Sequence, residues 1–175
     1  MTNAVNLSAI GANATAGGTV SITSGTAVAS TSGTNIDYTG IPSWVKRITV
    51  MFSGVSLSGS SQFLIQLGTS GGVTTTGYSG FAIRYSSSSL AAGNFTTGAG
   101  FANVTATTYS GSIVFTNISG NTWTWAGQLG TPNSSELGGA TSGGINLGAV
   151  LTRVRITTAN GTDTYTAGSV NILYE

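Results

Sequence analysis

The chain has 175 residues and a mass of 17.4 kDa, with five basic and four acidic residues, no histidine, no cysteine and a net charge of +1. Charged residues make up 5% of it, against about 25% in an average soluble domain, which excludes the cationic footprint a nucleic acid needs; the lack of cysteine excludes a disulfide framework and thiolate metal sites. Hydrophobic residues at 39% and a mean hydropathy of +0.25 supply enough burial to offset chain entropy, so one folded domain with one core is expected, its surface dressed in Ser, Thr, Asn, Gln and Gly.

Residues 1–33 are nearly all small or polar and read as an N-terminal arm or peripheral strands, with a weak strand candidate at 18–23; residues 34–175 read as a β-sandwich domain. The start lacks a basic segment followed by a long apolar run, and no continuous apolar stretch reaches the length of about 18 residues needed to span a membrane. The expectation is a chain made in the cytoplasm and released by lysis as part of a virus particle, with no membrane insertion.

From residue 34 onward, short strands follow one another. "TNIDYTG" (34–40) is a weak one, and "VKRITVMF" is a strong one, because Ile48, Val50 and Phe52 alternate with Arg47, Thr49 and Met51 as a half-buried strand requires. Similar runs stand at 62–68, 80–86, 111–117, 121–130, 149–159 and 168–175. Between them, "SGVSLSGSS", "GTSGG", "TPNSSELGGATSGG" and "TANGTD" read as turns, and Asn160-Gly161 reads as a two-residue hairpin turn with positive φ at both positions. Gly71-Gly72 and Gly138-Gly139 read as loop glycines. The 27 glycines and abundant Thr and Ser oppose helices. The fold class expected is all-β: an antiparallel β-sandwich, jelly-roll-like.

Two features invite a functional reading. Lys46 and Arg47 place two of the few cations side by side; the corner "YTGIPSW" brings Asp37 back toward them, so a salt bridge is the first expectation, with a subunit contact and an anion site as alternatives. In the same corner, Pro42 sets the turn and the Trp44 indole is expected to cover the open end of the core. Trp123 and Trp125, two apart on a strand, share a face. They fill the core or a subunit interface if buried, and form a stacking platform for sugar rings if exposed. Tyr78 and Tyr109 join them as candidate glycan or interface aromatics.

Catalysis has little to work with. Without histidine the usual general base and every His-containing triad or metal site are missing. The four carboxylates, Asp37, Glu136, Asp163 and Glu175, show no spacing that pairs two of them for glycoside hydrolysis, and no Asp-rich loop supports a Ca²⁺ site. No enzyme, cofactor or metal is expected.

The stretch "TNIDYTGIPSWVKRITVMFSGVS" (34–56), with "LIQLG" (64–68) and "NILYE" (171–175), resembles a segment that recurs in bacteriophage tail-fibre and related virion proteins. The resemblance implies a phage structural protein with a β-sandwich module that assembles with itself as a homotrimer and with other phage tail or head proteins. A tail-fibre or tail-tip component with host-surface polysaccharide binding is the leading expectation. A capsid decoration (cement) protein forming trimers on the head is the alternative, because a long N-terminal shaft is missing; a free glycan-binding module stands further off.

Overall fold

Ile48, Val50 and Phe52 are buried and Arg47, Thr49 and Met51 face outward along a strand deep inside the larger of two antiparallel sheets. In the computed structural model, residues 22–101, 107–132 and 136–175 are described. In chain order the strands are β1 (Thr23–Ser24), β2 (Val28–Ala29), β3 (Ile36–Thr39), β4 (Arg47–Leu57), β5 (Phe63–Thr69), β6 (Gly72–Val73), β7 (Ser79–Ser86), β8 (Leu90–Phe95), β9 (Ala99–Phe101), β10 (Tyr109–Ser119), β11 (Thr122–Gly130), β12 (Glu136–Asn146), β13 (Arg153–Thr158) and β14 (Tyr165–Tyr174). No helix occurs among the described residues.

The nine-stranded sheet runs β1-β14-β4-β10-β11-β12-β7-β8, with β2 also paired to β14; the five-stranded sheet runs β3-β13-β5-β6, with β9 also paired to β5. The sheets pack face to face as an antiparallel β-sandwich. Ile48, Val50, Phe115, Trp125 and Ile172 from the larger sheet share one core with Ile36, Phe63, Ile65, Val154 and Ile156 from the smaller. Each such side chain, fully buried, stabilises the fold by about 1.5–3 kcal/mol relative to an exposed one. Phe63 is the hub of an edge-to-face aromatic chain, with ring centroids 6.0 Å from Phe52 and 5.6 Å from Tyr109. The strand order contains a β10-β11-β12 meander within an unequal pair of sheets, so the jelly-roll detail of the expectation finds no support in it.

Three expectations about local structure are corrected. The "SGVSL" part of a supposed turn continues β4 to Leu57, with Gly54 at φ +63° where the register with β14 and β10 shifts. The Gly-rich stretch at 131–144, expected to be a turn, contains the first nine residues of the eleven-residue strand β12, Glu136, Gly138 and Gly139 among them. Its glycines serve packing: a Cβ on Gly143 would run into the Trp125 ring, and one on Gly80, its partner on β7, would stand 2.5 Å from Cζ2 of the same ring. Asn160-Gly161 does not close a two-residue hairpin, because the strands on either side, β13 and β14, belong to different sheets. The segment is a corner, where the Asn160 Oδ1 accepts hydrogen bonds from the backbone N–H groups of Thr162 and Asp163 and from the Thr158 hydroxyl.

Residues 22–33 border the larger sheet. β1 and β2 pair with β14, Gly33 O accepts from the Tyr165 N–H, and Ser30, fully buried, donates its hydroxyl to Ala167 O at 2.7 Å. The remainder of the expected arm, residues 1–21, including most of the strand candidate at 18–23, lies outside the described residues.

Candidate interaction surface

The expected ion pair of Asp37 with Lys46 or Arg47 does not form. Asp37 lies opposite Arg155 in the β3–β13 register and accepts two hydrogen bonds from its guanidinium, at 2.7 Å (Nε to Oδ1) and 2.8 Å (Nη2 to Oδ2). Direct cross-strand placement brings these two side chains together. The Asp37 carboxylate, by hydrogen bonding above all, pushes the Arg155 pKa further up. Arg47 pairs instead with Glu175, and the same Glu175 backbone receives the Lys46 and Arg47 N–H groups at 2.7 and 2.8 Å. Lys46 donates to Asn117 Oδ1 at 3.3 Å. The two adjacent cations therefore face different partners, as the pleat demands of neighbours on a strand.

The four candidate aromatics are core residues. Tyr78, Tyr109, Trp123 and Trp125 are each at most 3% exposed, so in the chain they form neither a sugar platform nor a subunit contact. Trp125 and Tyr78 meet edge to face at 6.0 Å, the Trp125 Nε1–H donates to the Thr141 hydroxyl at 3.1 Å, and the Tyr78 hydroxyl accepts from the Leu67 N–H at 2.7 Å. Their polar tips are met inside the sandwich, which is what permits their burial. Trp44, by contrast, is 51% exposed and leans on Tyr174, with ring centroids 6.0 Å apart. It does not cover the core end; Ile41 and Val45, both buried, do so.

Among the described residues no group of three or more His, Cys, Asp or Glu side chains gathers where a metal ion could be held. A hollow of about 220 Å³ at the end of the sandwich is bounded by Lys46, Asn117, Asn121 and Trp123. Its polar groups are engaged within the fold: Asn117 Nδ2 donates to Gly120 O and Thr122 O, and the Asn121 amide faces the Ala149 backbone.

A broad surface is formed by the outer face of the nine-stranded sheet. Cross-strand registers align two adjacent rows across β14, β4, β10, β11, β12, β7 and β8. One row is Leu173, Thr49, Val114, Ala126, Ser142, Phe81 and Asn94; the other is Asn171, Met51, Ser112, Gln128, Ala140, Ile83 and Ala92. Neither row contains a charged residue. The charges of the smaller sheet contrast with this: Asp37, Arg153 and Arg155 all point outward from β3 and β13. Within the neutral face Phe81 stands 47% exposed beside a shallow groove of about 440 Å³ floored by the small residues Ala126, Gly127, Ala140 and Ser142. Sequence reasoning missed this face because β12 and β8 were not recognised as strands, and without them the rows cannot be aligned.

Comparison of the chain with protein-family models, with curated proteins and with solved structures finds no match.

Proposed function

We propose that the chain is a structural, assembling protein of a bacteriophage particle, a tail-fibre or tail-tip component that works as a homo-oligomer, with the trimer as the expected form. The observation that carries the assembly role is the outer face of the larger sheet: two full cross-strand rows without a charge, mixing Phe, Ile, Val, Leu and Met with Ser, Thr and Asn. A contiguous neutral face with exposed apolar side chains is the kind of surface that packs against protein. The phage assignment rests on the resemblance at residues 34–56, 64–68 and 171–175; these segments form β3, most of β4, β5 and the end of β14. Labelling the chain in purified particles, with electron microscopy as the readout, tests the assignment. Label at the tail supports it, label over the head moves it to a capsid decoration protein, and particles without the chain overturn it.

A second reading, recognition of a host-surface glycan, is favoured by one observation: the half-exposed Trp44 ring beside Tyr174 has an open face on which a sugar ring can stack. Trp44→Ala should abolish binding to host polysaccharide while leaving the fold intact, and unchanged binding removes this reading.

A further inference from the structure

We infer that the outer face of the nine-stranded sheet is the surface through which copies of this chain bind one another, with Phe81 of one copy seated in the small-residue groove of the next. The inference deepens the assembly reading above and rests on it.

Charge is the first argument. A two-fold contact between identical chains brings like residues close, and a charged face then repels itself. The two central rows carry no charge; on the same face Arg47 stands one row beyond Thr49 and is paired with Glu175, and Asp37 and Arg155 pair on the other sheet. That distribution is self-compatible for this face and for no charged partner in particular.

Shape is the second. The 47% exposed Phe81 is a projecting ring, and the groove floored by Ala126, Gly127 and Ala140 lies directly beside it on the neighbouring strands. Projection and recess sit on one face, so each copy offers what the other accepts. A Phe81 ring entering the groove also meets the resident Phe81, and two aromatic rings in offset or edge contact add to the area they bury. A two-fold contact, in which the same patch meets itself, engages both Phe81 rings and both grooves at once.

Area is the third. Seven strands at about 4.8 Å and two rows at about 6.8 Å give a plan area of roughly 460 Å². Counted on both partners the two rows alone give about 900 Å², and the residues flanking them bring the contact past the roughly 1,000 Å² of a specific interface.

The test is light scattering on the purified full chain at tens of micromolar, with circular dichroism on the same samples. The wild type should give an integer multiple, two or more, of 17.4 kDa. Ala126→Glu and Ser142→Glu, both at exposed outward positions, should each give the single-chain mass with an unchanged β spectrum. Should either charge disturb the fold, Phe81→Ser, which replaces a half-exposed ring by a small polar side chain, decides: it should raise the dissociation constant at least tenfold. A wild type of single-chain mass overturns the inference, as does a folded variant set that keeps the wild-type mass. A chain located in the particle but monomeric in solution defeats this inference alone, whereas an oligomer that is absent from the particle defeats the phage assignment alone.

Discussion

Asp37 and Arg155 sit directly opposite each other on β3 and β13 and form a bidentate ion pair on the outer face of the smaller sheet, at 2.7 and 2.8 Å. The side chains are 39% and 34% exposed, so water screens the attraction although the geometry is good. Asp37→Asn should cost about 0–1 kcal/mol in urea denaturation and weaken further with salt. Arg47→Ala should leave that cost unchanged, because Arg47 has its own partner in Glu175. A loss of several kcal/mol for Asp37→Asn would show that the pair is shielded from solvent by a neighbouring chain.

Gly143→Ala should destabilise the fold by about 1–3 kcal/mol, because the added methyl meets the buried Trp125 ring and the Ser79 carbonyl on β7. Shrinking the ring should relieve part of this, so Gly143→Ala combined with Trp125→Phe should cost less than the sum of the single changes. Additive costs would mean that ring and glycine do not compete for the same space.

Two buried tyrosines separate a hydroxyl with partners from one without. The Tyr78 hydroxyl accepts from the Leu67 N–H at 2.7 Å and donates to Thr74 O at 3.1 Å, whereas the Tyr165 hydroxyl has no partner among the described residues. Tyr78→Phe should cost about 1–3 kcal/mol by orphaning a buried N–H, and Tyr165→Phe should be neutral or stabilising. Equal losses would contradict this. Burial pushes the pKa of both upward, and that of Tyr38 up to about 12. The folded state therefore holds protons that the unfolded chain releases near pH 10, so stability is retained below about pH 10 and falls as the pH rises above it. Ultraviolet titration should show these hydroxyls ionising late or only on unfolding.

Asp163 should titrate below the ordinary aspartate range. The Asn160 side-chain amide, at 2.8 Å, and the Ser61 backbone N–H, at 2.9 Å, both donate to its carboxylate and favour the charged form. A depressed folded pKa gives stability that is present above the unfolded value of about 3.9 and is lost as pH falls through the folded one. Carboxyl chemical shifts followed by NMR should place the midpoint below that of a model peptide, and Asp163→Asn should flatten the acid side of the stability profile. A midpoint at the ordinary value would sink the argument.

The amino-acid sequence by itself determined the all-β class and the orientation of its best strands. Alternation in β4, β10, β13 and β14 follows from a pleat with one dry face, and a period of two is visible without knowing what the dry face touches. Only the tertiary structure decided the partners. Proximity in sequence points Asp37 toward Lys46 and Arg47, but strand pairing across 118 positions brings it to Arg155. Trp123 and Trp125 share a face whichever way it points, and only the second sheet makes that face the core. β12 was illegible because its glycines carry no hydrophobic period; their purpose, leaving room for the Trp125 ring, exists only once β7, β11 and β12 lie side by side. The neutral outer face is a property of seven strands in register, and register between strands distant in sequence is set by packing, which no single strand records.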